Sequence, residues 1–427
     1  MQALGNVQPP PFDTSIPAGD RGNLQISPFR AHQYGSGLRV AFYSHDTVGL
    51  GHVRRNLLIA QSLRQCGTAD QTLILSGSGQ ASVLPESQSN RVVLSGLRKR
   101  AGRTVPVCGA PLSSVLRTRG RAIAGAVAAF DPDVLVVDKV PRGVGGELEN
   151  TLRQLRQRGT RCILGLRDIL DDPEVVAREW AEADNEGAIS EFYDDVWVYG
   201  DRRIVDLAAE YGFSDATAAR LDYVGYLDRR ISTPAALEQA HWDFEAHAPP
   251  GPYVLCSVGG GEDGARLVDA FSRAELPSHL FGVILTGPFM PEAVRRQLRQ
   301  RAATNPRLRI LDFVREPAEL LRRAERVISM GGYNSVCEIV AHQKPALVVP
   351  RVVPRREQWI RAERFSALGL LDVCHPDELT PEVIASWLER EVSLPDRSRI
   401  DLAGLAGLST RLREMSLGDP VAEAVAV

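Results

Sequence analysis

The chain has 427 residues, a formal net charge of −3, and 24% charged and 44% hydrophobic residues. That length exceeds what one core usually fills, so two domains of similar size are expected, and the balanced charge supplies no global field for nucleic acid. Six scattered cysteines without C-x-x-C spacing read as small core residues in a reducing compartment rather than as bridges or zinc ligands.

Residues 1–37 mix Pro, Gly, Gln and Ser with almost no apolar periodicity, which predicts a disordered arm. No signal-peptide stretch and no run of membrane-spanning length is found, so a cytoplasmic protein is expected. A first domain is expected over 38–232. It opens with the β-rich run Leu38 to Ser44, then the glycine loop His45-Asp-Thr-Val-Gly49-Leu-Gly51-His52, then a helix with Val53, Leu57, Ala60 and Leu63 inward and Gly67 as its C-cap. A strand, a glycine loop and a helix are how a Rossmann half begins.

Short apolar runs follow at Leu73 to Leu75, Val92 to Leu94, Val134 to Asp138, Cys162 to Leu166, Val196 to Tyr199 and Tyr223 to Tyr226, with a helix through Ala122 to Phe130. Strands this apolar on both faces belong in a parallel sheet covered by helices. Ligands of such sheets gather at the strands' carboxyl ends, which makes His45, Asp138, Arg167 and Asp168 candidates, each with a helix cap or a loop salt bridge as its structural alternative. The basic stretch Leu97 to Arg103 is read as a solvated loop, or as a contact for an anionic acceptor or a bilayer through Arg98, Lys99 and Arg100.

Three prolines around Gly251 place a linker over 233–252, and a second domain is expected over 253–395. It restarts the same grammar with Tyr253 to Ser257, a turn at Gly259, Gly260 and Gly261, and a helix from Ala265 to Ala274. Further strands are expected at Val283 to Thr286, Leu308 to Phe313 and Val327 to Ser329. The last runs into Gly331-Gly332-Tyr-Asn334-Ser335-Val-Cys-Glu338, where Val336, Ile339 and Val340 share one helical face. Unpaired N–H groups and the positive end of the dipole make such a helix start a seat for phosphate. Ser335-x-x-Glu338 is equally a capping box. Helices are expected over Glu357 to Leu368 and Asp377 to Glu391, and 396–427 as a late helix, Leu402 to Met415, that crosses back to the first domain, with a frayed tail.

The Gly-Gly turn, the Asn334-Ser335 pair, Glu338, the Lys344-Pro345 that ends the helix, then Ala346 to Pro350 and Glu357-Gln358 resemble the donor half of glycosyltransferase family 28. The Gly51-His52 pair is similar to the amino-terminal loop of that family. The resemblance implies a GT-B fold of the α/β class, two Rossmann-like doubly wound parallel-sheet domains facing across a cleft. By the same resemblance Gly259, Gly260, Gly261, Gly331, Gly332, Asn334 and Ser335 lie against a nucleotide diphosphate. Glu338 meets the ribose, Glu357 and Gln358 the donor sugar, and the backbone of the loop at Val314 the nucleobase. Arg355 and Arg356 depart from the family pattern and are read as partners of the donor phosphates or of surface carboxylates.

The expected reaction is metal-independent, inverting transfer of a sugar from a nucleotide-diphosphate donor, UDP-linked by preference, to an acceptor hydroxyl, with no cofactor beyond the nucleotide-sugar. Displacement in one step needs a base for the acceptor proton; His52 is the first candidate, with Asp138 and His45 in reserve. His45, Gly49, Gly51, Arg167 and Asp168 would form the acceptor side. A nucleotide-sugar hydrolase or epimerase of the same fold, and a non-catalytic sugar-nucleotide sensor, are the other classes carried. The acceptor is left open among small molecules, lipid-linked sugars and glycans.

Overall fold

The computed structural model describes residues 37–45, 51–77, 89–100, 103–228, 230 and 234–416. The expected arm, but for Gly37, and Gly49 lie outside them.

Fifteen strands are seen among the described residues. β1 (Leu38–Ser44), β2 (Ala69–Ser76), β3 (Asn90–Val93), β4 (Leu97–Arg100), β5 (Arg103–Pro106), β6 (Val134–Asp138), β7 (Arg161–Arg167), β8 (Asp195–Tyr199) and β9 (Leu221–Tyr223) form the first half. β10 (Tyr253–Ser257), β11 (Phe281–Leu285), β12 (Leu308–Leu311), β13 (Arg326–Ser329), β14 (Ala346–Val348) and β15 (Asp372–Val373) form the second. One parallel sheet has the order β3-β2-β1-β6-β7-β8-β9 and the other β12-β11-β10-β13-β14-β15. Every residue of β6 and all but one of β1 are buried, as strands covered by helices on both faces must be. This is the GT-B arrangement: two doubly wound α/β sheets.

Three local expectations change. The basic stretch is a hairpin, not a loop, because β4 and β5 pair antiparallel with Arg98 opposite Val105; Leu97 anchors it and Arg98 is exposed. The side chains of Lys99 and Arg100 fall outside the described residues. The segment expected as linker contains a helix, Pro234–His247, whose Asp243 accepts from the backbone N–H of Glu316 at 2.8 Å and so braces the loop of Val314. The run around Tyr223 to Tyr226 is strand only at β9, since Gly225 (φ 90°) turns the chain towards the late helix.

That helix, Gly404–Ser416, lies on the first lobe. Leu405, Leu408 and Leu412 are buried, Arg411 donates to Asp222 at 2.8 Å, and Thr68 and Ser409 share a hydrogen bond. One apolar cluster runs from Val40, Val53 and Trp197 through Val224 and Tyr226 to Tyr333, Phe365 and Leu408, so the two lobes share a core along their seam.

Candidate active site

In both sheets the strand order reverses beside the first strand, at β1/β6 and at β10/β13. Ligands of open α/β sheets sit at that switch point, outside the carboxyl ends. His45 follows β1, Asp138 ends β6, and His52 is the second residue of the helix Gly51–Gln65.

Asp138 is fully buried and lies against an arginine and a histidine. Its Oδ2 lies 2.6 Å from His52 Nδ1, and Arg55 Nη2 donates to both carboxylate oxygens at 2.5 and 2.7 Å. Burial opposes the charge on Asp138, but Arg55 and then His52 overcome it and hold the carboxyl far below the usual range. Burial lowers the His52 imidazole below its ordinary pKa, and Arg55 and Arg167 add to that against the opposing pull of Asp138. The imidazole is therefore neutral at pH 7. An ionised carboxylate only accepts, so Nδ1 carries the proton and Nε2 keeps its lone pair. The His45 ring stands 5.0 Å from that of His52, centroid to centroid. His52 does not cap its own helix: its side chain is spent on the end of β6.

On the other lobe, the helix Tyr333–Ala341 has Gly332 as its N-cap, with no side chain to satisfy the first N–H groups. Ser335 is the third helical residue, so the capping-box alternative fails, and no side chain among the described residues caps the turn. Gly331 has φ 72°, and a Cβ there would come within 2.5 Å of Val348, whereas one on Gly332 would meet nothing within 4 Å. The second glycine turn is built against a neighbour: a Cβ on Gly261 (φ 92°) would lie 2.1 Å from the Thr286 carbonyl, and Phe289 N–H donates to the Gly260 carbonyl at 2.8 Å. Gly259, also at positive φ, borders open space. The following helix, Ala265–Arg273, likewise lacks a side-chain cap. Val314 is buried.

Glu338 and Glu357 are both buried. Burial works against ionisation of Glu357, but Arg167, Arg351 and Arg361 hold its pKa below the ordinary value. Arg351 donates to Glu357 Oε1 at 2.6 Å and, from its backbone N–H, to Gln358 Oε1 at 3.0 Å, while Glu357 Oε2 is buried without a partner among the described residues. Asn334 Nδ2 donates to the Gly51 carbonyl across the cleft at 3.2 Å. The phosphate-type turn of one lobe thus abuts the start of the His52 helix of the other.

One expectation does not survive, and one open pair of alternatives is decided. Asp168 is not open to an acceptor: it is buried in a two-pronged pair with Arg361, at 2.6 and 2.9 Å, and takes further bonds from Ile169 N–H and Tyr226 OH. Arg355 and Arg356 face carboxylates rather than phosphates: Arg355 meets Asp171 at 2.8 Å and Glu179 at 2.7 Å, and Arg356 meets Asp172 at 3.1 Å, all on the first lobe. Arg167, by contrast, stays near Glu357 and Asp138 with no hydrogen bond to a described residue.

Arg55, Tyr333 and Arg361 were not singled out from sequence. The signal for Arg55 was present, three residues after His52 and so on its helical face; Arg361 gave none, since its partner is 193 positions away. Among the described residues no three His, Cys, Asp or Glu side chains are grouped to hold a metal, and no helix is long and apolar enough to cross a membrane.

The two doubly wound sheets define the class, a two-lobed protein of the GT-B fold. Residues 255–399 match the glycosyltransferase family 28 C-terminal domain. The chain is 27% identical over 165 residues, 35% of its own length and 42% of the relative's, to the UDP-N-acetylglucosamine–N-acetylmuramyl-(pentapeptide) pyrophosphoryl-undecaprenol N-acetylglucosamine transferase of Phenylobacterium zucineum. It is 26% identical over 190 residues (40% and 53%) to the enzyme of that name from Caulobacter vibrioides. The chain therefore spans about half the length of the curated relatives it matches. Among solved structures, the calicheamicin glycosyltransferase CalG4 superposes with a TM-score of 0.51 at 18% identity, covering 91% of this chain and 97% of that one. MurG of Acinetobacter baumannii gives 0.50 at 16%, covering 89% and 99%.

Proposed function

We propose that this protein is a metal-independent, inverting glycosyltransferase that moves a sugar from a UDP-linked donor to an acceptor hydroxyl. The observation that carries the reading is the juxtaposition across the cleft. An uncapped helix start at Gly332 stands against the amino end of a helix whose His52 is held by a buried carboxylate. The family 28 match of the second lobe and the names of the relatives support the class and the UDP-sugar donor.

In this reading the donor diphosphate lies on the N–H groups of Tyr333, Asn334 and Ser335 and on the turn at Gly259 to Gly261, with Glu338 on the ribose and Glu357 and Gln358 on the sugar. His52 Nε2 removes the acceptor hydroxyl proton as that oxygen attacks the anomeric carbon. The bond from the anomeric carbon to the phosphate oxygen breaks, and its electron pair leaves with the diphosphate. Helix dipoles and bare N–H groups stabilise that charge where it develops. Asp138 holds the Nδ1 proton and stabilises the imidazolium. Arg167 borders the acceptor side.

Titration with UDP tests the donor assignment. Saturation at about 100 times the dissociation constant should add roughly 2.7 kcal/mol of stability, read as a rise in melting temperature. A protein that binds neither UDP nor UDP-N-acetylglucosamine would overturn it. A bilayer-borne acceptor is the second reading, favoured by exposed Arg98 on a hairpin beside exposed Val93 and Val107. Binding to anionic vesicles should weaken on charge reversal at Arg98; equal sedimentation of both proteins removes that reading.

A further inference from the structure

The helix Gly51–Gln65 buries a guanidinium that the proposed chemistry does not itself require. Arg55 is 3% exposed. Its Nη2 lies within 2.7 Å of both Asp138 oxygens and 3.1 Å from His52 Nδ1, so the orientation of the carboxylate is set by Arg55 as much as by the imidazole. The guanidinium carbon also stands 5.4 Å from the centre of the Tyr199 ring and 5.7 Å from that of Tyr333. Tyr199 ends β8 of the same lobe. Tyr333 belongs to the other lobe and is the first residue of the helix assigned to the diphosphate. Arg361, locked to Asp168, contacts the same Tyr333 ring at 5.6 Å.

We propose that Arg55 is a positioning residue that aligns the Asp138 carboxylate on His52 and, through the ring of Tyr333, makes that alignment depend on docking of the carboxy-terminal lobe. A guanidinium over an aromatic face gains most when water is excluded. Withdrawing Tyr333 exposes Arg55 to solvent, screens its charge and frees the carboxylate to rotate, whereas docking restores a fixed acceptor for the Nδ1 proton. Among the described residues the groups facing His52 are Asp138 from β6, Arg55 on its own helix, Arg167 from β7 and the His45 ring after β1. The inference rests on the His52–Asp138 reading but is tested separately from it.

The test follows the ¹⁵N resonances of His52 through a pH titration of the full chain, which requires no substrate, in wild type, Arg55→Met, Arg55→Lys and Tyr333→Leu. The titration midpoint should move upward in Arg55→Met, because a cation that disfavours the imidazolium is gone. It should return towards wild type in Arg55→Lys, and move upward by less in Tyr333→Leu. UDP release from UDP-N-acetylglucosamine should fall about 10- to 100-fold in Arg55→Met with UDP affinity kept. An unmoved midpoint in Arg55→Met, or in Tyr333→Leu should the former not fold, overturns the proposal, as does wild-type release by Arg55→Met. Full turnover by His52→Ala would instead sink the base assignment and leave the Arg55 titration standing on its own result.

Discussion

A histidine serves as a base only while it is neutral and while one nitrogen is free to accept. Both conditions are met at His52 by neighbours rather than by the residue itself: burial, Arg55 and Arg167 keep it neutral, and Asp138 takes the Nδ1 proton. His52→Ala should lower turnover about 10²- to 10⁴-fold with donor affinity little changed, read as kcat against Kd for UDP. Wild-type turnover in that variant would clear His52 of the role. The acid limb of activity should lie below an ordinary imidazole's ~6.5, because the folded-state pKa is depressed and the base stays neutral into mildly acidic solution. The same sign governs stability. The contribution of His52 is whole above the unfolded value and is lost as pH falls from there towards the folded pKa, because the unfolded chain takes up the proton first. Urea unfolding of wild type and His52→Gln across that window should show the difference shrink in the variant.

At the scale of the element, the two glycines before the Tyr333–Ala341 helix have different jobs that substitution can separate. Gly331 needs its left-handed backbone, and a methyl there would collide with Val348. Gly331→Ala should cost about 1–3 kcal/mol in denaturant unfolding. Gly332 has ordinary dihedrals and empty space beside it. Gly332→Ala should fold within about 1 kcal/mol of wild type and yet weaken UDP binding at least tenfold, since the methyl would occupy the place assigned to phosphate. If calorimetry finds UDP bound by Gly332→Ala as by wild type, the diphosphate does not lie on this turn. Strand, glycine turn and helix were legible here because the glycines and the 3.6-residue apolar spacing are local signals. The N-cap was not, because Ser335-x-x-Glu338 satisfies the capping pattern as well as Gly332 satisfies the geometry.

For the whole molecule, the helix Glu357–Ala367 is the clasp between the lobes. Arg361 pairs with Asp168, Arg364 donates to Glu210 at 2.6 Å and to the Ile204 carbonyl at 3.0 Å, and Arg355 and Arg356 reach Asp171, Glu179 and Asp172. The buried pair decides most, because deleting one partner strands a charge in the seam. Arg361→Met or Asp168→Asn should each destabilise by about 3–5 kcal/mol, and the double variant by much less than the sum. Additive single effects in a double-mutant cycle would mean that the two side chains do not act as a unit. The solvent-facing Arg356–Asp172 pair should contribute little by itself.

The amino-acid order by itself determined the two parallel sheets, their glycine turns and the helix starts that follow them. Each of these depends on apolar periodicity and backbone freedom within a dozen residues. It also marked Asp138, because carboxyl ends of strands can be counted along the chain, and His52, because it opens the helix after the glycine loop. Tertiary structure alone decided that these two meet, that Arg55 joins them, that Asp168 is spent on Arg361, and that Arg355 and Arg356 face carboxylates instead of phosphates. Charges choose partners by distance through space, and the partners of Asp168 and Arg355 come from helices and a loop on the other lobe, where no local pattern records the encounter.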